Sequence, residues 1–309
     1  MSARVPILLS YYALSNGKEA LVFGQVSSTR INDLSFTDYS RRRTFRTLLS
    51  LYRTHAIANE TITLSYDTLQ FKTNTDISGF FLSRVNIESI TGVLKKVTLA
   101  NGQNVDLHHG QYALSMHEVN TPRIVISDID DTVLHSYIAR KILKFRTLLF
   151  TPIEKRKPVE PVKQLILSFV RKGATPVYLS NSEQNLYPLI YRFLIHHGFP
   201  AGPLFLKQMR KLRDVIRYRK LPSPEIHKMK MIDFIVPLFP DKKFVLIGDN
   251  TQFDLAIYIA AAKKYPGVVD EIFIRRVIPI RNEKKIISEL EALLRKLSIK
   301  FHYSEAFDQ

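Results

Sequence analysis

Four short apolar runs in the second half of the chain do most to restrict its fold. Ile124–Ile126, Pro176–Leu179, Phe244–Ile247 and Ile272–Ile274 lack the polar alternation of a half-exposed strand, and they read as strands buried on both faces. Between them the apolar positions switch to helical spacing. Pro161–Lys172 opens on proline and stops before Gly173. The next helix carries Leu186, Leu189, Ile190, Phe193 and Leu194 on one face, starts at Asn185 so that Pro188 falls in its tolerant first turn, and ends at Gly198. Ile226–Leu238, Phe253–Lys264 and Glu283–Leu297 complete the helical set. Strands alternating with helices predict an α/β domain over residues 119–309 with a doubly wound parallel sheet, whose ligands sit beyond the carboxyl ends of the strands.

Residues 1–118 read differently. Ala20–Val26 is a strand candidate, Thr61–Tyr66 alternates polar and apolar strictly, and Asp76-Ile77-Ser78-Gly79 is turn chemistry ahead of Phe80-Phe81-Leu82. Val97 and Leu99 face Val105 and Leu107 across Asn101-Gly102, a dipeptide suited to a hairpin turn with positive φ at both positions. One helix is expected near Phe45–Tyr52. The pattern predicts a small antiparallel β-sandwich-like domain with a scaffold or docking role.

Composition narrows the function classes. The 309 residues include no cysteine, which excludes disulfides, thiolate metal sites and a cysteine nucleophile and fits a reducing, cytoplasmic setting. No apolar stretch reaches the ~18 residues of a membrane-spanning helix, and Val5–Leu9, broken by Pro6, is too short for a signal peptide. Charge is the unusual bulk property, at +17 overall. Residues 135–230 hold 20 basic and 5 acidic side chains, nearly the whole excess. A field so concentrated attracts polyanions, anionic lipid surfaces or phosphorylated substrates, or else keeps a surface solvated.

Chemistry gathers at the strand ends. The first strand runs into Asp128-Ile129-Asp130-Asp131-Thr132. Two carboxylates so placed are costly to bury without a cation, and Mg²⁺, with its preference for hard oxygen ligands, meets that need. The second strand ends in Ser180-Asn181-Ser182, small donors suited to phosphate oxygens, and the third in Gly248-Asp249, followed by Asn250 and Asp254. His227-Lys228 lies between. Acids, hydroxyls, a lysine and further acids in this order form a set for phosphoryl transfer.

The set resembles the haloacid dehalogenase superfamily of phosphohydrolases. Within it, SDIDDT, YLSNSEQNLYPLIYRFLIHHGFPAGPLFL, HKMKMIDFIVPLFPDKKFVLIGDN and QFDLAIY resemble the catalytic domain of actin-patch-type phosphatidate phosphatases and their bacterial relatives, over about residues 122–278. The resemblance implies that Asp128 is the nucleophile and Asp130 the general acid and base. It implies that Asp128, Asp130 through its carbonyl, and Asp249 hold Mg²⁺, with Asp254 or Asn250 in support. Ser180 and Asn181 would bind the phosphate, and Lys228, or alternatively Lys230, would balance its charge; Thr132 would brace the loop. Here Asn250, Gln184 and Phe253 replace residues common in the family, which puts substrate identity in question. His196, His197 and His227 receive no role.

Only about forty residues separate the first two strands, so a minimal cap and an open site are expected. Tyr137–Phe150 interleaves Ile138, Ile142, Phe145 and Leu149 with Arg140, Lys141, Lys144 and Arg146, a pattern that either lies on an anionic membrane or packs on the core with solvated flanks. Lys207–Lys220 is a second basic cluster. The function expected is a Mg²⁺-dependent phosphomonoesterase acting on phosphatidate, in the cytoplasm or at the periphery of a membrane. A phosphatase for a soluble or polynucleotide phosphate, with nucleic acid the less favoured partner, and a catalytically silent lipid-binding module are the alternatives.

Overall fold

The computed structural model describes residues 4–29, 51, 54–67, 69–87, 92–107, 112–130, 132–133, 155–207, 224–251 and 253–307. The expected helix near 45–52, apart from Leu51, lies outside them, as do the segment 137–150, most of the cluster 207–220, and residues 134–154 of the interval 133–175 where a minimal cap was expected.

The first half is built on two long strands, β1 (Val5–Ser15) and β2 (Glu19–Thr29), paired antiparallel. Neither shows the polar alternation of a surface strand, because each is covered on both sides. Tyr11 and Ala13 of β1 join one apolar core and Tyr12 and Leu14 the other; Ala20 and Val22 of β2 divide from Leu21 and Phe23 in the same way. Seven shorter strands complete the sheet: β3 (His55–Ala56), β4 (Thr61–Ser65), β5 (Gln70–Asn74), β6 (Phe80–Asn86), β7 (Lys96–Leu99), β8 (Asn104–Leu107) and β9 (His117–Glu118). The order is β3-β2-β1-β8-β7-β4-β5, with β6 on β2 and β9 on β1. Because β1 pairs parallel with both β8 and β9, this half is one curled, mixed sheet and not the antiparallel sandwich expected.

The β7–β8 hairpin forms at the expected place but turns differently. Leu99 N–H donates to Gln103 O and Gly102 N–H to Leu99 O, both at 2.9 Å, closing a three-residue loop. Only Gly102 in that loop has positive φ, at 83°, so one glycine supplies the left-handed step that two residues were expected to share.

The second half is a parallel sheet of β10 (Arg123–Asp128), β11 (Thr175–Glu183), β12 (Leu204–Lys207), β13 (Lys243–Asp249), β14 (Val269–Arg275) and β15 (Lys300–Ser304), in the order β12-β11-β10-β13-β14-β15. The sequence pattern had picked out the four inner strands; β12 and β15 are additional edges. Helices α1 (Glu160–Arg171) and α2 (Tyr187–His196) lie on one face with Val125, Tyr178 and Val245. Helices α3 (Pro224–Ile235), α4 (Asp254–Lys264) and α5 (Glu283–Lys296) lie on the other with Ile124, Ile126, Leu179 and Leu246. The winding direction reverses between β10 and β13, and a crevice for ligands opens at such a reversal. Among the described residues no helix is long and apolar enough to cross a membrane.

The halves share their cores. Phe23 of β2 stacks on Phe205 of β12, ring centroids 4.1 Å apart, and Asn16 Nδ2 donates to Leu238 O at 2.7 Å. One face of β1 and β2 thus closes the apolar layer beneath α3 and α4.

Candidate active site

The strand reversal brings the acids together. Asp128 ends β10 and Asp249 ends the neighbouring β13, while Asp254 opens α4 one turn later; all three are fully buried. One carboxylate oxygen from each lies within 4.8 Å of the others. Gly248 makes room for this. A Cβ at 248 would stand 2.7 Å from Asp254 Cβ and Oδ2 and 2.9 Å from the Tyr258 ring, so any side chain there displaces Asp254 from the strand end. Tyr258 in turn donates to Ile247 O at 2.9 Å and fixes α4 to β13.

Lys228 reaches in from α3 and is also fully buried. Its Nζ donates to Asp128 Oδ1 at 2.6 Å and to Asp254 Oδ1. Asp128 Oδ2 is buried with no partner, an acceptor left for a cation or for phosphorus. Asp249 accepts from Thr132 Oγ1 at 3.0 Å and from both the amide and the hydroxyl of Thr251. Thr132 therefore braces the acid of the next strand. Asp130 stands apart from the three acids' cluster and accepts from Ser180 Oγ at 3.0 Å and Ser182 Oγ at 2.8 Å. Half-buried Asn181 sits between those serines.

Electrostatics follow from burial. Desolvation pushes Asp128 well above the usual carboxylate range; Lys228 pulls it back, and Asp254, Asp249 and Asp130 push it up again. Desolvation and then Asp254 raise Asp249 to about 6, against the hydrogen bonds from Thr251 and Thr132. Burial opposes the charge on Lys228, but Asp128 and Asp254 outweigh it and hold the ammonium above its ordinary value. Three clustered carboxylates beside one ammonium leave an excess of negative charge that a divalent cation with oxygen preference would neutralise, and the unpartnered Asp128 oxygen suits such an ion.

Three of these residues take protein partners that the sequence did not indicate. Ser180, expected on the substrate phosphate, is engaged with Asp130. Lys228, expected to face the phosphate, pairs two site acids, while Lys230 is exposed. Asn250 turns away from the acids: its amide donates to Ile278 O and Tyr303 OH and accepts from the amides of Val277 and Ile278, fastening the loop after β14. Thr251 and Ser182 were not singled out individually, and small hydroxyls one or two residues from an acid are the signal that could have found them.

The profile of the catalytic domain of phosphatidate phosphatase APP1 matches residues 123–276. Those residues belong to that family. The APP1-type region is 31% identical over 155 residues to phosphatidate phosphatase APP1 of Saccharomyces cerevisiae, covering 49% of this chain and 25% of that protein. It is likewise 31% identical over 157 residues to an uncharacterized protein of Schizosaccharomyces pombe, covering 50% of this chain and 25% of that protein. The chain thus spans about a quarter of the length of the curated relatives it matches. Among solved structures, a chain of the Pnkp1/Rnl/Hen1 complex aligns with a TM-score of 0.32 at 15% identity, over 67% of this chain and 54% of that one, a likeness too slight to bear on fold or function.

Proposed function

We propose that the protein is a phosphoric monoester hydrolase of haloacid dehalogenase-like fold that uses Mg²⁺ to release phosphate from phosphatidate, working at the cytoplasmic surface of a membrane. The observation that carries the chemistry is the buried Asp128 carboxylate, one oxygen paired to Lys228 and the other without a partner, beside Asp249 and Asp254 at the strand reversal. The lipid substrate is supported by the APP1-type family match.

Asp128, Asp249 and Asp254 are the residues to hold Mg²⁺, which when bound supplies charge neutralisation during phosphoryl transfer. Asp128 attacks phosphorus, the bond to the glycerol oxygen breaks, and an aspartyl-phosphate forms. Asp130 gives its proton to the departing oxygen and then takes one from the water that hydrolyses the acyl phosphate, so diacylglycerol and phosphate leave and both acids are restored. Ser180 and Ser182 hold Asp130 at a fixed angle for both transfers. Lys228 orients Asp128 and limits the repulsion between it and Asp254.

The test is phosphate release from phosphatidate in mixed micelles, with Mg²⁺ or with EDTA, beside an aryl phosphate. Release that requires Mg²⁺ and disappears in a folded Asp128→Asn variant is expected. Turnover of the aryl phosphate alone would retain the chemistry and reject the lipid, and a fully active Asp128→Asn would reject the nucleophile.

A further inference from the structure

The helices that carry Lys228 and Asp254 also enclose a groove of about 460 Å³. Ile226 and Met229 line it from α3, and Ala256, Ile257 and Ala260 from α4. It lies on the outward side of the helix pair, since Lys228 points to the sheet from the opposite face of α3. The small alanines leave the space. From Ile226 to Asp233 the helix rises about 10 Å, and there the groove closes: Asp233 pairs with Lys264 at 2.8 Å and accepts from Tyr265 OH at 2.7 Å.

The open end is the informative one. Ile226 in the first turn of α3 is 55% exposed, and Phe253, which caps α4 just before Asp254, is 51% exposed. Among the described residues, nothing covers these two large apolar side chains at the same end of adjacent helices. That end is also the one on which the acid cluster sits, because Lys228 and Asp254 stand in the opening turns of these helices. Lys230 on the groove wall is cationic, and it and Lys207 both add positive field at His227 beside it. Apolar floor, polar stop, cationic wall and a mouth beside the acids together fit an anionic amphiphile whose head enters the site.

Resting on the lipid-phosphate reading above, we propose that this groove takes one acyl chain of the phosphatidate substrate, entering past Phe253 and Ile226. Chain length and the presence of an acyl group then set affinity through α3 and α4, while the phosphate is handled by the strand ends.

The chain has no tryptophan, so Phe253→Trp places a single tryptophan, excited selectively over the tyrosines, at the mouth. The probe is a short-chain phosphatidate brominated near its chain ends, used below the concentration at which it forms micelles. Quenching by this lipid but not by its unbrominated counterpart is expected, and Ala260→Phe in the same background, which fills the groove from an exposed helix position, should remove it. In the otherwise unaltered enzyme, Ala260→Phe should lower the ratio of phosphatidate to aryl phosphate turnover roughly tenfold or more. Quenching that survives Ala260→Phe would overturn the groove in favour of simple surface contact. No quenching with phosphatidate still hydrolysed would overturn the groove and keep the phosphatase; quenching without hydrolysis would do the reverse.

Discussion

In the curled sheet, Tyr11 and Tyr66 hydroxyls meet at 2.7 Å, Tyr112 OH donates to Leu8 O at 2.6 Å, and Thr75 Oγ1 donates to Ile57 O at 2.7 Å. In the parallel sheet, the comparable depth holds Asp128, Asp130, Asp249, Asp254 and Lys228. The first region buries neutral groups and pairs them, each pair contributing about 1 kcal/mol. The second buries ions, each costing several kcal/mol before pairing, and packs carboxylates against one another. Stability alone favours the first arrangement. The second persists where binding or chemistry uses the charge, so the contrast points to the strand ends of the parallel sheet, although both halves share the same two apolar cores.

The contrast can be broken most directly at Asp130. Asp130→Asn keeps the acceptor for Ser180 and Ser182 but removes the transferable proton, and kcat on phosphatidate should fall about 10²–10⁴-fold with little change in melting temperature. A near wild-type kcat would show the ion to be dispensable. Next comes Lys228→Met, which strands Asp128 and Asp254 without their cation: about 3–5 kcal/mol lost in urea unfolding, together with turnover. Phe23→Ala, which removes the stack on Phe205, should cost a similar 3–5 kcal/mol yet leave turnover per folded molecule intact, and a parallel loss of both in the two variants would erase the distinction.

The acids also predict a dependence on pH that neutral pairs lack. Asp249 has its folded pKa raised to about 6 from 3.8, so the folded protein holds that proton more tightly than the unfolded chain. Its contribution is present below pH 3.8 and is lost as pH rises through about 6. In EDTA, wild type should therefore lose roughly 1–3 kcal/mol relative to Asp249→Asn between pH 4 and 7, and Mg²⁺ should restore it at pH 7. Equal pH profiles for the two would remove the electrostatic account. The smallest effect is in the other half: Tyr66→Phe leaves the Tyr11 hydroxyl buried alone, at about 1 kcal/mol with no pH dependence near neutrality.

Much of the parallel sheet was legible because its apolar runs are short and stop abruptly, two of them at acids, and Gly173 and Gly198, with φ of 86° and 68°, follow the helices they were expected to end. The edge strands escaped notice for physical reasons. β12 has only four residues, and β15 follows a helix end through Ser298 at φ 60°, with no glycine to mark the turn. In β1 and β2, burial on both faces erases the alternation that betrayed β4. That acids at the strand ends would come together could be read from residue type, but not the pairing among them. Which acids Lys228 would choose, and that Ser180 would turn to Asp130, depend on contacts between residues far apart in the chain.

The position of β10 between β11 and β13 has a consequence for synthesis. Lys228 lies 100 residues beyond Asp128, and Asp249 and Asp254 come later still. A chain made from its amino end acquires β11 as a neighbour for β10 long before β13 can fill the other side. Until Lys228 and the acids of β13 and α4 have been made, Asp128 lacks the partners it has in the folded protein. The buried acid cluster and the filled centre of the sheet can therefore arise only together and late, once the residues that follow β13 have been made.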